Sequence, residues 1–285
     1  MEIQARLAVT LLGWLAFASV AGADVVVSAS GNSAVADITL TGSGVTYHAQ
    51  VTVAFEAAQN LSPTELNLSA QIVDPLDPAL LARLPACVNP LLGCVSVDPN
   101  FPVLISVEPL NLGGGNLSFR NTYEFEVHTA SLAYVPYSRY RLFKAPVNGL
   151  FADTTDAIES GSVRARGREG GFSQFLVLTD ARPSLAVELQ KNSALQARIL
   201  TATLTGSLQS SLLGLLGNVS NAVAVSNYAL AIGNVDQIIN TVQTHAGVDI
   251  ANTWNANHLL ANDAGDMLGA AQTLRYSLVV LQSGH

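Results

Sequence analysis

Along the first half of the chain, apolar and polar positions alternate one for one. Val45, Tyr47, Ala49, Val51, Val53 and Phe55 fall on one face of an extended segment. Thr46, His48, Gln50, Thr52 and Glu56 fall on the other. The same alternation carries Leu66, Leu68, Ala70 and Ile72 through 65–73. It also sets Tyr123, Phe125 and Val127 against Glu124, Glu126 and His128. A period of two predicts strands with one face on a core and one in water. Further strands are predicted at 24–30, 34–41, 102–107, 131–135, 137–143, 162–166 and 172–179, with Gly, Pro, Asn and Asp clusters between them. Many short strands with frequent turn signals predict an antiparallel β-sandwich, here taken as immunoglobulin-like.

The period changes in the second half. Arg182-Pro183 ends the clear strand pattern, and 184–204 reads as helix or mixed structure. From Gly206 onward Leu208, Leu212, Leu215 and Val219 recur at helical spacing. So do Val235, Ile238, Ile239 and Val242, after a candidate cap at Asn234. A last helix, capped by Asp266, carries Met267, Ala271, Leu274, Leu278 and Leu281. These helices are poor in charge and are expected to pack on each other and on the sandwich, although the spacing of the last one also suits a coiled-coil partner. The predicted fold is therefore mainly β with an α-helical C-terminal region. It divides into a leader (1–23), a β-sandwich (24–182), a transition segment (183–205) and a small helical bundle (206–285). Two smaller β-domains divided near Gly113-Gly114-Gly115 are the alternative.

The leader sets the address. Residues 7–20 are uncharged, follow Arg6, and end in Ala21-Gly22-Ala23 before Asp24. That is the layout of a secretory signal peptide cleaved between Ala23 and Asp24. The run is shorter than the roughly 20 residues a membrane-spanning helix needs. No later segment is a candidate span. Arginine far outnumbers lysine, and Ala, Gly and Leu are abundant, which points to a GC-rich bacterial source and a periplasmic or extracellular destination. Cys87 and Cys94 are the only cysteines, with six residues between them. In an oxidising compartment that pattern reads as a disulfide shaping one loop.

Charged residues make up only 12% of the chain and apolar ones 49%, with a net charge of −8. This excludes a disordered chain. It also argues against a nucleic-acid partner, which needs bases to neutralise phosphates.

Candidate chemistry is sparse. Gly171-Phe172-Ser173-Gln174-Phe175 fails the G-x-S-x-G pattern at its last position and precedes a strand. His48, His128, His245, His258 and His285 form no compact ligand pair. Asp153, Asp156 and Glu159, or Asp74 and Asp77, offer carboxylates to calcium but match no EF-hand loop, and Asp is also an ordinary turn residue. The sequence therefore indicates no catalytic residue, no metal site and no cofactor.

The one local anomaly is basic: Arg139, Arg141, Lys144, Arg164, Arg166 and Arg168. If their strands are neighbours, they form an anion-binding strip; the competing reading is a solvated face paired with Glu124, Glu126 or Asp156. The expected function is a non-catalytic binding or structural module of the bacterial envelope or extracellular space. Its expected partner is an envelope polymer, an anionic glycan or a protein. A secreted hydrolase with dispersed acidic residues and a carrier of a small apolar ligand are the alternatives.

Overall fold

The computed structural model describes residues 22–87, 93–111, 116–135, 138–160 and 162–284. The predicted alternation becomes two antiparallel sheets packed face to face. One contains β1 (Gly22–Ser30), β2 (Ser33–Gly42), β3 (Val45–Gln59), β7 (Ser118–Thr129), β11 (Val163–Glu169) and β10 (Thr155–Glu159) in that order. A short β13 (Thr253–Asn255) joins β7 on its β11 side. The other runs β4 (Leu68–Ile72), β6 (Val103–Val107), β12 (Gln174–Asp180), β8 (Tyr140–Ala145), β9 (Ala152–Asp153). There β5 (Val95–Val97) shares an edge of β12 with β6. The sheets thus form a sandwich, but an immunoglobulin-like topology is not confirmed: β1, β2 and β3 follow one another as a meander at one side of a single sheet.

Between the sheets lie the side chains the alternation marked. Ala49, Val51, Val53 and Phe55 of β3 meet Phe119, Phe125 and Val127 of β7, with Val103, Ile105, Leu142 and Phe175 from the opposite sheet. Phe125 and Phe175 stack across the core with centroids 3.8 Å apart. The outer face of the second sheet is covered separately. There Leu104, Phe143, Leu176 and Leu178 pack with Leu80, Leu84 and Phe151.

Two strand expectations fail for local reasons. Residues 131–135 are not a strand, because the Thr129 hydroxyl accepts from the Ser131 backbone N–H at 3.1 Å and turns the chain out of the sheet. The strand expected over 65–73 starts only at Leu68. Ser62 caps a short helix, α1 (Pro63–Leu66), which ends where Asn67 takes a left-handed conformation. A second short helix, α2 (Pro78–Leu81), is capped by Asp77. The expected strand 137–143 is β8, starting at Tyr140; Tyr137 lies outside the described residues. So does the leader up to residue 21. β1 begins at Gly22, so the expected cleavage leaves Asp24–Ser30 paired with β2.

Four longer helices follow: α3 (Ser184–Thr201), α4 (Gly206–Ala224), α5 (Tyr228–His245) and α6 (Asp263–Gln282). The stretch left open between helix and mixed structure is thus α3. Two capping expectations move. Asn227, not Asn234, accepts from Leu230 N at the start of α5. Asn262, not Asp266, accepts from Gly265 N at the start of α6. The helices share their own core, in which Leu212, Val219, Val235, Ile238, Leu274 and Leu278 are fully buried.

α6 also packs on the sandwich along β7, β10 and β11. Two glycines one turn apart allow it. A Cβ on Gly269 would lie 2.5 Å from the Arg168 carbonyl oxygen, and one on Gly265 would overlap the Asn121 carbonyl. Asn262 completes the junction by donating to the carbonyls of Asn121 (2.7 Å) and Gly170 (2.8 Å). None of the described helices is long and apolar enough to cross a membrane.

Candidate functional site

The seam between the sandwich and helices α3 and α6 is held by buried charge. Asp153 of β9 and Lys191 of α3 are paired at 2.7 Å, with side chains 2% and 5% exposed. Asp153 Oδ1 also accepts from the Thr155 N–H (2.9 Å) and hydroxyl (2.6 Å). Lys191 donates to the Thr273 carbonyl of α6 at 3.2 Å. Burial pushes the Asp153 carboxyl up, but Lys191 and Arg141 outweigh it and hold it below its ordinary range. Burial pulls the Lys191 ammonium down, against the opposing pull of Asp153.

Two cavities open along this seam. The larger, about 1010 Å³, lies among β8, the end of β12, the start of α3 and the last turns of α6. One wall is apolar: Leu185 and Val187 from α3 face Val279, Val280 and Leu281 from α6. Leu185 and Val279 are exposed, at 47% and 40%. The same lining includes Arg139, Arg141 and Tyr134. Arg141 spends Nη1 on the carbonyls of Ser138 (2.7 Å) and Tyr140 (2.6 Å), and its guanidinium lies 5.3 Å from the centroid of the Tyr276 ring. Neither arginine has a carboxylate partner, and among the described bases they share that state only with Arg83 and Arg120. Arg182 also lines this cavity, but Asp180 neutralises it through two contacts of 2.6 and 2.9 Å. Pro183 occupies the cap position of α3 and supplies no side-chain acceptor, so the positive end of that helix is left without a capping side chain beside the cavity.

The smaller cavity, about 550 Å³, lies between β9, the end of β11 with residues 170–173 after it, α3 and α6. Lys144 of β8 reaches Glu169 at the end of β11 at 2.7 Å and also contacts the Gly171 carbonyl. Burial raises the Glu169 pKa; Lys144 pulls it back without cancelling the rise. Trp254 and Phe172, with ring centroids 5.1 Å apart, form its aromatic side.

The structure scatters the six bases that the sequence grouped. Arg164, Arg166 and Arg168 share the outer face of β11, where the register sets them across from His128, Glu126 and Glu124 of β7. Arg164 pairs with Glu126 (3.0 Å), Arg166 with Asp156 (3.1 Å) and Glu159 (3.2 Å), and Arg168 with Glu124 (3.0 Å). Arg139 and Arg141 line the larger cavity, and Lys144 the smaller. The candidate calcium carboxylates Asp153, Asp156 and Glu159 are engaged by these bases and by Lys191. No described group of three or more His, Cys, Asp or Glu is placed to hold a metal. Ser173 gives its hydroxyl hydrogen to the Ala145 carbonyl. His48, His128 and His245 bond Thr39, Ser162 and Asp249 respectively.

Cys87 and Cys94 form a disulfide. Gly93, beside Cys94, has φ +105°, and a Cβ there would overlap the Ala181 carbonyl. A structural disulfide is the mark of an oxidising compartment, so the protein carries the signature of an extracytoplasmic one.

No curated protein and no solved structure matches the chain. Residues 9–282 match the model of a family of unknown function, DUF6689.

Proposed function

Because the chain belongs to DUF6689, a family of unknown function, its role is read from its own geometry. We propose that it is a non-catalytic binding protein of the bacterial envelope or extracellular space, which holds an amphiphilic anion in the larger cavity. One observation carries this reading: the cavity combines apolar Leu185, Val279, Val280 and Leu281 with two arginines that form no ion pair, on a chain of net charge −8. Ligand sites are typically concave and mostly apolar, with a few placed polar groups to fix orientation. An acyl chain suits the helix wall, and a carboxylate or phosphate head suits the guanidinium of Arg139 and the uncapped start of α3. The disulfide fits a secreted destination.

A secreted hydrolase finds less support. Glu169 and Asp153 have pKa values pushed in opposite directions, the pattern of an acid–base pair. Each carboxylate is ion-paired with a lysine, and Asp153 is closed to solvent. Arg164, Arg166 and Arg168 are already balanced by four carboxylates, which weakens the case for an outer-face strip that recruits an anionic polymer.

The test is thermal unfolding of residues 24–285 with decanoate and with decanol. Decanoate at about 100 times its Kd stabilises by roughly 2.7 kcal/mol. Decanol does so less, and Arg139→Gln removes the difference between them. Equal effects of decanoate on wild type and Arg139→Gln, or no effect on either, rejects the proposal.

A further inference from the structure

We propose that the smaller cavity is a second ligand site, built for an uncharged saccharide. The first ground is charge balance. Every lysine and arginine lining it already has its acid: Lys144 with Glu169, Arg168 with Glu124, Lys191 with Asp153, and Arg198 with Asp266. Asp263 accepts from the Thr203 N–H at 3.2 Å. No lysine or arginine of this lining is left over to recruit an anion, in contrast to the larger cavity with its unpaired arginines.

The second ground is one unsatisfied acceptor. Glu169 has a side chain only 9% exposed, and it lines the cavity. Its Oε2 is taken by Lys144, while Oε1 is buried without a hydrogen-bond partner. The nearby Thr154 hydroxyl is turned to the Leu142 carbonyl at 3.3 Å. A buried carboxylate oxygen left without a donor is costly, and proteins rarely leave one so. A ligand hydroxyl or amide N–H supplies the missing donor without adding charge.

The third ground is the wall beside it. Trp254 and Phe172, with Leu150, Leu260, Ala261 and Ala270, give an apolar side to a cavity whose polar lining includes Asn262, Gln190 and the paired charges. A sugar ring presents both surfaces at once: C–H groups for the aromatic side and hydroxyls for the polar one. A volume of about 550 Å³ matches a ligand of disaccharide size. The larger cavity does not include Trp254. This site therefore stands or falls independently of the amphiphile proposal.

That tryptophan also provides the readout, since Trp254 is the only one after the leader. Residues 24–285 are titrated with N,N′-diacetylchitobiose, maltose and glucuronate while Trp254 emission is followed. A neutral disaccharide gives a saturable change in the millimolar range or below, and glucuronate responds at least tenfold more weakly. Ala194→Phe, at an exposed position on α3 that lines the cavity, weakens the response at least tenfold while leaving the melting curve of the free protein intact. The double variant Lys144→Met/Glu169→Gln removes the buried pair together and also abolishes the response. No saturable change with either neutral sugar, an unchanged response in Ala194→Phe, or glucuronate binding as well as the neutral sugars overturns the proposal.

Discussion

Replacing Asp153 by Asn removes one charge from the seam and almost nothing else. Asparagine keeps the volume and keeps Oδ1 as an acceptor for the Thr155 N–H and hydroxyl. Lys191 then remains 5% exposed, with the Thr273 carbonyl at 3.2 Å as its hydrogen-bond acceptor. An uncompensated buried charge costs about 3–5 kcal/mol. For a chain of this size that corresponds to a fall in Tm of about 10 °C. Lys191→Met alone strands the Asp153 carboxylate and costs a similar amount. The double variant Asp153→Asn/Lys191→Met has no charge to strand, so it recovers most of the loss, because replacing a buried pair outright is often neutral. Urea unfolding of the four proteins gives the coupling energy directly. Single variants that each cost under about 1 kcal/mol, with an additive double, refute the claim that this pair ties the helices to the sandwich.

Other perturbations follow from named contacts. Gly269→Ala forces a methyl to 2.5 Å from the Arg168 carbonyl and costs about 1–3 kcal/mol, whereas Gly214→Ala, with nothing within 4 Å, gains up to about 1 kcal/mol; opposite shifts in Tm check the pair. Cys87→Ser/Cys94→Ser opens a loop of sequence separation 7, which costs about 2 kcal/mol and leaves far-UV circular dichroism unchanged. Burial raises the Glu188 pKa above its ordinary 4.5, so the folded state binds that proton more tightly than the unfolded chain. Its contribution is most favourable below pH 4.5 and declines as pH rises through the folded value; Glu188→Gln removes this part of the pH dependence in denaturant titrations. The Asp153 pKa is held below its ordinary 3.8, so its contribution has the opposite sign: present above pH 3.8 and lost as pH falls through the folded value.

Period two was legible in strands such as β3 and β7 because only one face of each is buried, whereas β6 and β12 are buried on both faces. Strands β5, β9 and β13, of two or three residues, are too short to show a period. The open reading of α3 has a physical cause. Its buried face includes Glu188, Lys191 and Asn192, while Leu185 and Leu189 are exposed, so the apolar stripe that marks a helix is broken by polar side chains, of which Lys191 finds its partner Asp153 only in three dimensions. α6 reads cleanly on its Met267, Ala271, Leu274, Leu278 face. Its second buried face, with Gly265 and Gly269 against the sheet, carries no hydrophobic signal.

The same limit applies to the site. The sequence grouped Arg139 through Arg168 by proximity, but strand register decides their partners. Lys144 meets Glu169 across two sheets, and Asp153 meets Lys191 across the seam. The cleft-lining Val279 and Val280 read as ordinary positions of the last helix. Only the packing of α6 beside α3 brings them into one cavity lining with Arg139.

The most direct measurement on the central claim is a crystal structure of residues 24–285 with ω-bromodecanoate. The anomalous bromine signal locates the chain end, and the density locates the head group. The account expects bromine against Val279, Val280 and Leu281 and the carboxylate within hydrogen-bond distance of Arg139 or the first turn of α3. Bromine lodged elsewhere, or an empty larger cavity at a saturating concentration, contradicts it.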